Sequence, residues 1–503
     1  SSHFGSSRAW PEVRPREQGR APAPRPHGAQ PPSRMIRALS SLRAPLAPGC
    51  HAVCAAWWRQ PFSSDLPRGR CCGSRGALAF SRVCLGRDGQ EPLVEPLAGS
   101  HETGRHGGSR SSSATSCVTS MASVRSAVAQ IVCRGCHFLR AVLTMLVMGI
   151  RLGLFSLLLL VPFLRVGRKY FVDSRISRGI RFGARPRQLL DIYCQESAPS
   201  RECEGYPVVV AVMGGAWVIG HRAWNAQLGQ RVMDAGAIMV AIDYRNYPFS
   251  CVADMLEDLD AGLAWVFQNV ASYGGDPTNV VLTGQSAGAH LTSLLLLRRS
   301  LQEAQNEADD PEAAAASEAA VERLAAGPHG GAWSPRDLRG YVGVSGPYCM
   351  SALAQRLEAR WLGSWLLWRV CAGNLDEWSP LALVQSEAWR AVGPGAAAAR
   401  LPKMKLFHGA KDKTVPASSS VEFAAALQRE GVQAEADVRL ELHHADVIIE
   451  GPMCGEDYQI QLLLPFLRLP GGAVCDDWLR TLPPLRPMFP RMVIRLASRL
   501  MPF

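Results

Sequence analysis

A pentapeptide held between two apolar segments constrains this chain most. Gly284-Gln285-Ser286-Ala287-Gly288 follows the short run Val280–Thr283 and opens the apolar stretch Ala287–Leu297. The first segment reads as a strand buried on both faces and the second as a helix. A strand that becomes a helix within about one residue needs a sharp corner. Glycines on either side of Ser286 remove the side chains that would clash there. Alone the pattern is weak, because a chain of 503 residues contains one by chance with odds of roughly 0.2. The strand before it and the helix after it give it weight: a serine at such a corner stands clear of the sheet, as a nucleophile must. The competing reading is a plain glycine turn.

Around this corner the pattern keeps alternating. Leu189–Tyr193, Val208–Val212 and Ala237–Ile242 read as strands, as do the later Tyr341–Ser345, Met404–Phe407 and Val438–Leu442. Cys251–Ala271 carries Met255, Leu259, Leu263 and Val266 at helical spacing, and Leu353–Val370 is a Trp- and Leu-rich helical stretch. Strands alternating with helices predict an α/β class chain with a mostly parallel central sheet and helices on both faces. This domain covers residues 171–475, with an Ala- and Glu-rich insertion at 301–333. A tail at 476–503 contains a short basic amphipathic helix, Met492–Leu500.

What precedes the domain is different. Residues 1–121 are rich in Arg, Pro and Ser and are expected to be disordered, since they bury too little apolar surface to offset ordering entropy. Much of the formal +11 charge sits in this region. Such a tail points to targeting or a membrane surface before nucleic acid, for which no motif is present. The chain begins at Ser1, with Met35 as an alternative start. Residues 122–170 form a hydrophobic membrane-anchoring region. As one helix, the 24 residues of Ala141–Leu164 would extend about 36 Å, more than the ~30 Å hydrocarbon layer. Arg151 near the middle would cost roughly 2.5–3.5 kcal/mol there. The alternatives are two shorter pieces lying in the interface, or a helix packed on the domain. Arg165, Arg168, Lys169, Arg175, Arg178 and Arg181 follow, and the positive-inside rule places them in the cytosol. The 15 cysteines show no framework spacing. Cys133-x-x-Cys136 lacks a second pair, so neither a disulfide scaffold nor a metal is expected.

Acyl transfer needs fixed N–H donors for the developing oxyanion. Gly214-Gly215-Ala216-Trp217 comes straight after Val208–Val212, and Ala287 comes straight after the candidate nucleophile. Gly214, Gly215 and Ala287 are the expected donors. The base is expected from His443-His444, after a late strand, with His444 preferred; His408 reads as structural. Asp412, in the loop after Met404–Phe407, is the expected acid, and Asp446 is its rival. The order Ser, Asp, His along the chain is the one such folds use.

Five segments carry a resemblance: Met213-Gly-Gly-Ala-Trp-Val-Ile-Gly220, Asp243-Tyr-Arg-Asn-Tyr-Pro248, Tyr273-Gly-Gly-Asp-Pro277, Gly284-Gln-Ser-Ala-Gly-Ala-His290 and His444-Ala-Asp-Val-Ile-Ile-Glu-Gly-Pro-Met453. In these the chain resembles the isoprenylcysteine methylesterases, within the hormone-sensitive-lipase-like α/β-hydrolases. The likeness runs from about Val128 to Phe503; the long Arg-rich N-terminus and the insertion depart from it. It implies an α/β-hydrolase fold and a membrane-bound serine esterase of the endoplasmic reticulum or Golgi. It also implies a catalytic domain facing the cytosol and a substrate that is a small or protein-linked prenylcysteine methyl ester. No cofactor, metal or nucleic acid is implied. Carried over, Ser286 is nucleophile, Asp412 acid and His444 base. Trp217 and the helical Trp365 are candidates for contacts with the substrate. A broad carboxylesterase or lipase and a non-catalytic binding protein of the same fold are the rival readings.

Overall fold

The computed structural model describes residues 135–136, 139–140, 142–196, 205–309, 333–360, 362–469 and 475–501. The expected disorder of 1–121 and most of the insertion lie outside them, as does Trp361. Among the described residues eight strands form one sheet in the order β1-β2-β4-β3-β5-β6-β7-β8. They are β1 Ile176–Arg181, β2 Leu189–Tyr193, β3 Tyr206–Val212, β4 Ile238–Ile242, β5 Gly275–Gln285, β6 Leu338–Val344, β7 Met404–Gly409 and β8 Ala434–Arg439. The pairs β1–β2 and β2–β4 are antiparallel. Every pairing from β4–β3 to β7–β8 is parallel. The helices include α1 Val142–Leu158, then α2 Leu160–Val172, α3 Ala226–Asp234, α4 Val252–Asn269, α5 Ala287–Asp309, α6 Met350–Ala359, α7 Trp365–Val370, α8 Ser418–Arg429, α9 Glu450–Cys454 and α10 Arg491–Leu500.

The central strands are buried on both faces because each face carries its own helices. Alternate residues of a strand point opposite ways. Val208, Val210 and Val212 therefore pack with Leu259 and Leu263 of α4, Leu291 and Leu294 of α5 and Phe423 of α8. Val209 and Ala211 pack with Leu228, Val232 and Met233 of α3, and with Ile460 and Leu463. Branched Val and Ile suit such strands. This strand order, with an antiparallel start and parallel continuation, is that of an α/β-hydrolase.

Four details depart from the expectations. Strand β8 lies at Ala434–Arg439, not Val438–Leu442. It ends the sheet and is only half buried, so its hydrophobic alternation is faint and the apolar Leu440, 75% exposed, misleads. The edge strand β1 was missed because its sequence, ISRGIR, carries charges of the kind that edges tolerate. Leu353–Val370 is two helices. Gly363 between them has φ +69°, a conformation that a right-handed helix cannot contain.

The hydrophobic segment is likewise two helices, α1 and α2, bent by 68° at Leu159. Pro162 sits in the first turn of α2 and has no N–H to return to Leu158, so the ladder is interrupted there. The flanking bonds Leu159 N to Phe155 O and Phe163 N to Leu159 O remain. Among the described residues no single helix is long and apolar enough to cross a membrane, although the bent pair together meets that length and composition.

Candidate active site

Strand β5 ends at Gln285 and α5 begins at Ala287, so Ser286 alone makes the corner, with φ +52°. A side chain at Gly284 or Gly288 has no room. A Cβ at Gly288 would lie 2.3 Å from Val212 O, and one at Gly284 2.5 Å from Thr292 Oγ1. The sharp turn thus depends on both glycines. Ser286 N donates to Val344 O of β6 (2.8 Å), which ties the corner to the neighbouring strand.

The structure brings Ser286, His444 and Asp412 together. Ser286 Oγ lies 3.0 Å from His444 Nε2, and His444 Nδ1 lies 2.6 Å from Asp412 Oδ2. An ionised carboxylate only accepts, so Nδ1 carries the proton and Nε2 is left to accept from the serine. Burial alone would raise the Asp412 carboxyl. The facing His444 and the hydrogen bonds from His408 and His444 outweigh it and hold the group well below the usual carboxylate range. The other oxygen, Oδ1, accepts from Thr414 N (2.7 Å) and Val415 N (2.9 Å). The loop backbone therefore aims the acid as well as supplying it.

His443 and Asp446 stand apart from this chain of bonds. Asp446 Oδ2 accepts from His443 N (2.8 Å), and the His443 ring faces Lys411 O (3.1 Å). His408, expected to be structural, reaches the acid directly: its Nε2 lies 3.1 Å from Asp412 Oδ2 and its Nδ1 2.7 Å from Ser420 Oγ.

The Gly214–Gly220 loop lies against the serine. A Cβ at Gly214 would come within 2.7 Å of Ser286 Cβ, and one at Gly215 within 2.4 Å of Gly220 N. Gly215, Ala216 and Trp217 all have positive φ (126°, 51° and 62°). Two consecutive non-glycine residues in this region store strain that surrounding contacts must hold. Those contacts come from Asp243-Tyr-Arg-Asn-Tyr-Pro248. Tyr244 Oη donates to Met213 O (3.1 Å), Asn246 Nδ2 to Gly220 O (3.0 Å), and Tyr247 N to Trp217 O (2.9 Å).

Trp217 does not face an open pocket. The residue is 6% exposed, and its Nε1 donates to His290 Nδ1 (3.2 Å). The rings meet edge to face at 5.3 Å. His290 Nε2 then donates to Trp378 O (2.6 Å). An indole only donates and a carbonyl only accepts, so this pairing fixes the tautomer. Complete burial keeps His290 neutral, its pKa lowered to about 4. The sequence reading missed His290. Its signal was its place on α5, one turn past the corner serine. Trp365 lies on α7, 60% exposed, beside the half-exposed Trp368; Leu367 and Val370 of the same helix are in the core.

A serine, an imidazole and a carboxylate bonded in series can activate the hydroxyl for attack on an acyl carbon. Similarity to known proteins points the same way. The BD-FAE family profile matches residues 190–326. The probable isoprenylcysteine alpha-carbonyl methylesterase ICMEL1 of Oryza sativa subsp. japonica is 32% identical over 352 residues, 69% of this chain and 76% of that protein. The isoprenylcysteine alpha-carbonyl methylesterase ICME of Arabidopsis thaliana is 30% identical over 353 residues, 69% of this chain and 75% of that protein. Esterase LipQ of Mycobacterium tuberculosis is 31% identical over 261 residues, 51% of this chain and 54% of that protein. The chain is an esterase of the α/β-hydrolase fold and belongs to the isoprenylcysteine alpha-carbonyl methylesterase family.

Proposed function

We propose that this esterase removes the methyl group from isoprenylated cysteine methyl esters, with Ser286 as nucleophile, His444 as base and Asp412 as the acid. One observation carries the chemistry: the His444 ring is bonded at both nitrogens, to Ser286 Oγ at 3.0 Å and Asp412 Oδ2 at 2.6 Å. His444 takes the serine proton as Ser286 attacks the ester carbonyl, and Asp412 steadies the imidazolium that forms. The N–H groups of Gly214, Gly215 and Ala287 are assigned to the oxyanion, where each donor is worth about 10²–10³ in kcat. His444 then gives its proton to the leaving methoxide, and methanol departs. Water then attacks the acyl carbon as His444 takes its proton; the bond to Ser286 Oγ breaks, His444 returns that proton to Oγ, and the acid leaves and ionises in solvent. Family membership supports the prenylcysteine ester as substrate, and the exposed Trp365 and Trp368 of α7 are candidates for the prenyl contact.

As part of the same proposal, the enzyme works on a membrane of the endoplasmic reticulum or Golgi, with the catalytic domain in the cytosol. The resemblance supports the organelle. The exposed apolar side chains of α1 and α2 support the membrane.

The deciding measurement is kcat/KM for farnesylcysteine methyl ester against its unprenylated counterpart and a short-chain aryl ester, with Ser286→Ala as the control. Each buried CH₂ is worth about 0.8 kcal/mol, so a preference of at least ~100-fold for the prenylated ester is expected. Equal values would leave a general carboxylesterase. A Ser286→Ala variant that retained a tenth of the activity would remove the nucleophile assignment.

A further inference from the structure

We infer that α1, α2 and α10 form one composite platform that lies flat on an anionic lipid surface and does not span it. This rests on the membrane placement above and gives it a geometry. The three helices are joined by their own small core. Phe155 and Leu159 pack with Ile494, Ala497 and Met501 of the C-terminal segment, and with Ala445, Met453 and Cys454. Arg151 shows why the arrangement does not need to cross. A spanning helix would carry this charge into hydrocarbon, whereas here its guanidinium donates to Arg499 O on α10 (2.8 Å). Arg165 likewise donates to Met488 O (2.6 Å). Both charges are engaged in clasping the C-terminal segment.

The outward side of this platform is apolar. Leu143, Val147, Ile150, Leu154 and Leu157 recur three and four residues apart along α1, each about half exposed or more. On α10, Met492 (82% exposed) and Leu496 (53%) stand one turn apart, opposite the buried Ile494 and Ala497. A run of exposed large apolar side chains on this scale marks an interaction surface.

Charge selects the partner. Residues 139–172 contain Arg140, Arg151, Arg165, Arg168 and Lys169 and no acid. Residues 482–503 contain Arg486, Arg491, Arg495 and Arg499 and again no acid. Apolar rows flanked only by basic residues fit an interfacial helix on anionic lipid. The platform core includes Ala445, directly after His444. Seating the platform on lipid therefore brings the candidate active site to the surface from which a prenylated ester arrives.

The test uses the full chain with sealed vesicles of phosphatidylcholine alone or mixed with phosphatidylserine. Wild type is expected to float with the mixed vesicles. Arg495→Glu is expected to lose on the order of fivefold or more in partitioning to the mixed vesicles only. Met492→Asp with Leu496→Asp is expected to lose about tenfold or more on both compositions. Hydrolysis of a soluble aryl ester should be unchanged in each, which separates failure of the platform from failure of the esterase reading. If the double variant also loses aryl ester hydrolysis, Leu146→Asp on the exposed side of α1 replaces it with the same expectation. An epitope at residue 1 should be digested by protease added outside the vesicles. Protection of that epitope would show a span and overturn the proposal, as would unchanged flotation of the variants.

Discussion

At the scale of single residues, the site depends on side chains that hold others in place. Trp217 and His290 bridge the strained loop to α5 through one 3.2 Å bond. Trp217→Phe keeps an aromatic but smaller side chain and removes the N–H, leaving His290 Nδ1 buried with no donor, at a cost of about 1–3 kcal/mol in addition to that of the lost volume. If the bridge positions the oxyanion donors, kcat should fall roughly 10–100-fold with little change in KM. Steady-state kinetics beside a thermal melt distinguish the alternatives. A rise in KM at constant kcat would instead make Trp217 a substrate contact, the role its sequence position suggested. His408 shows the same limit of sequence reading. It lies four residues before Asp412, and only the curl of the loop reveals that both His408 and His444 bond to one carboxylate oxygen.

At the scale of elements, the segment after His444 carries a group whose chemistry depends on burial. Glu450, at the start of α9, is 5% exposed, and among the described residues neither carboxyl oxygen has a hydrogen-bond partner. Burial first, and then the nearby Asp446, raise its pKa to about 8. The folded protein therefore holds a proton that the unfolded chain releases near pH 4.5. Stability from this group is complete below that pH, declines as pH rises toward about 8 and is then constant. Glu450→Gln is neutral at every pH and close in size. It is expected to stabilise the protein by a few kcal/mol at pH 8–9 and by little at pH 4–5. Denaturant melts at both ends of that range check this, and an equal shift at both would place the Glu450 carboxyl in water. Elements also differ in how legible they were. The buried strand β3 and the Val280–Leu282 centre of β5 stood out because covering both faces makes their residues apolar. The edge strands β1 and β8 did not, because one side of each faces solvent or charge.

At the scale of the whole molecule, the sheet is the frame that fixes every distance in the site. Leu282, fully buried on the central strand β5, packs in the core that carries the Ser286 corner. Leu282→Ala should cost about 2–5 kcal/mol, read as a lowered melting midpoint, with kcat of the folded fraction largely kept. A large loss of kcat without loss of stability would make the site more sensitive to core packing than this frame suggests. The sequence by itself determined the alternation of strands and helices, the corner at Ser286, the adjacent glycine loop and the order of serine, acid and histidine. These are local patterns, set by backbone sterics and by which faces must be apolar. Tertiary structure decided which of two neighbouring histidines turns toward a serine 158 residues away and which carboxylate meets it. It also decided that Trp217 turns inward to a histidine 73 residues on, and that the apolar segment, interrupted locally by Pro162, clasps the C-terminal helix. Those outcomes depend on contacts between residues far apart in the chain, whose energies no local pattern encodes.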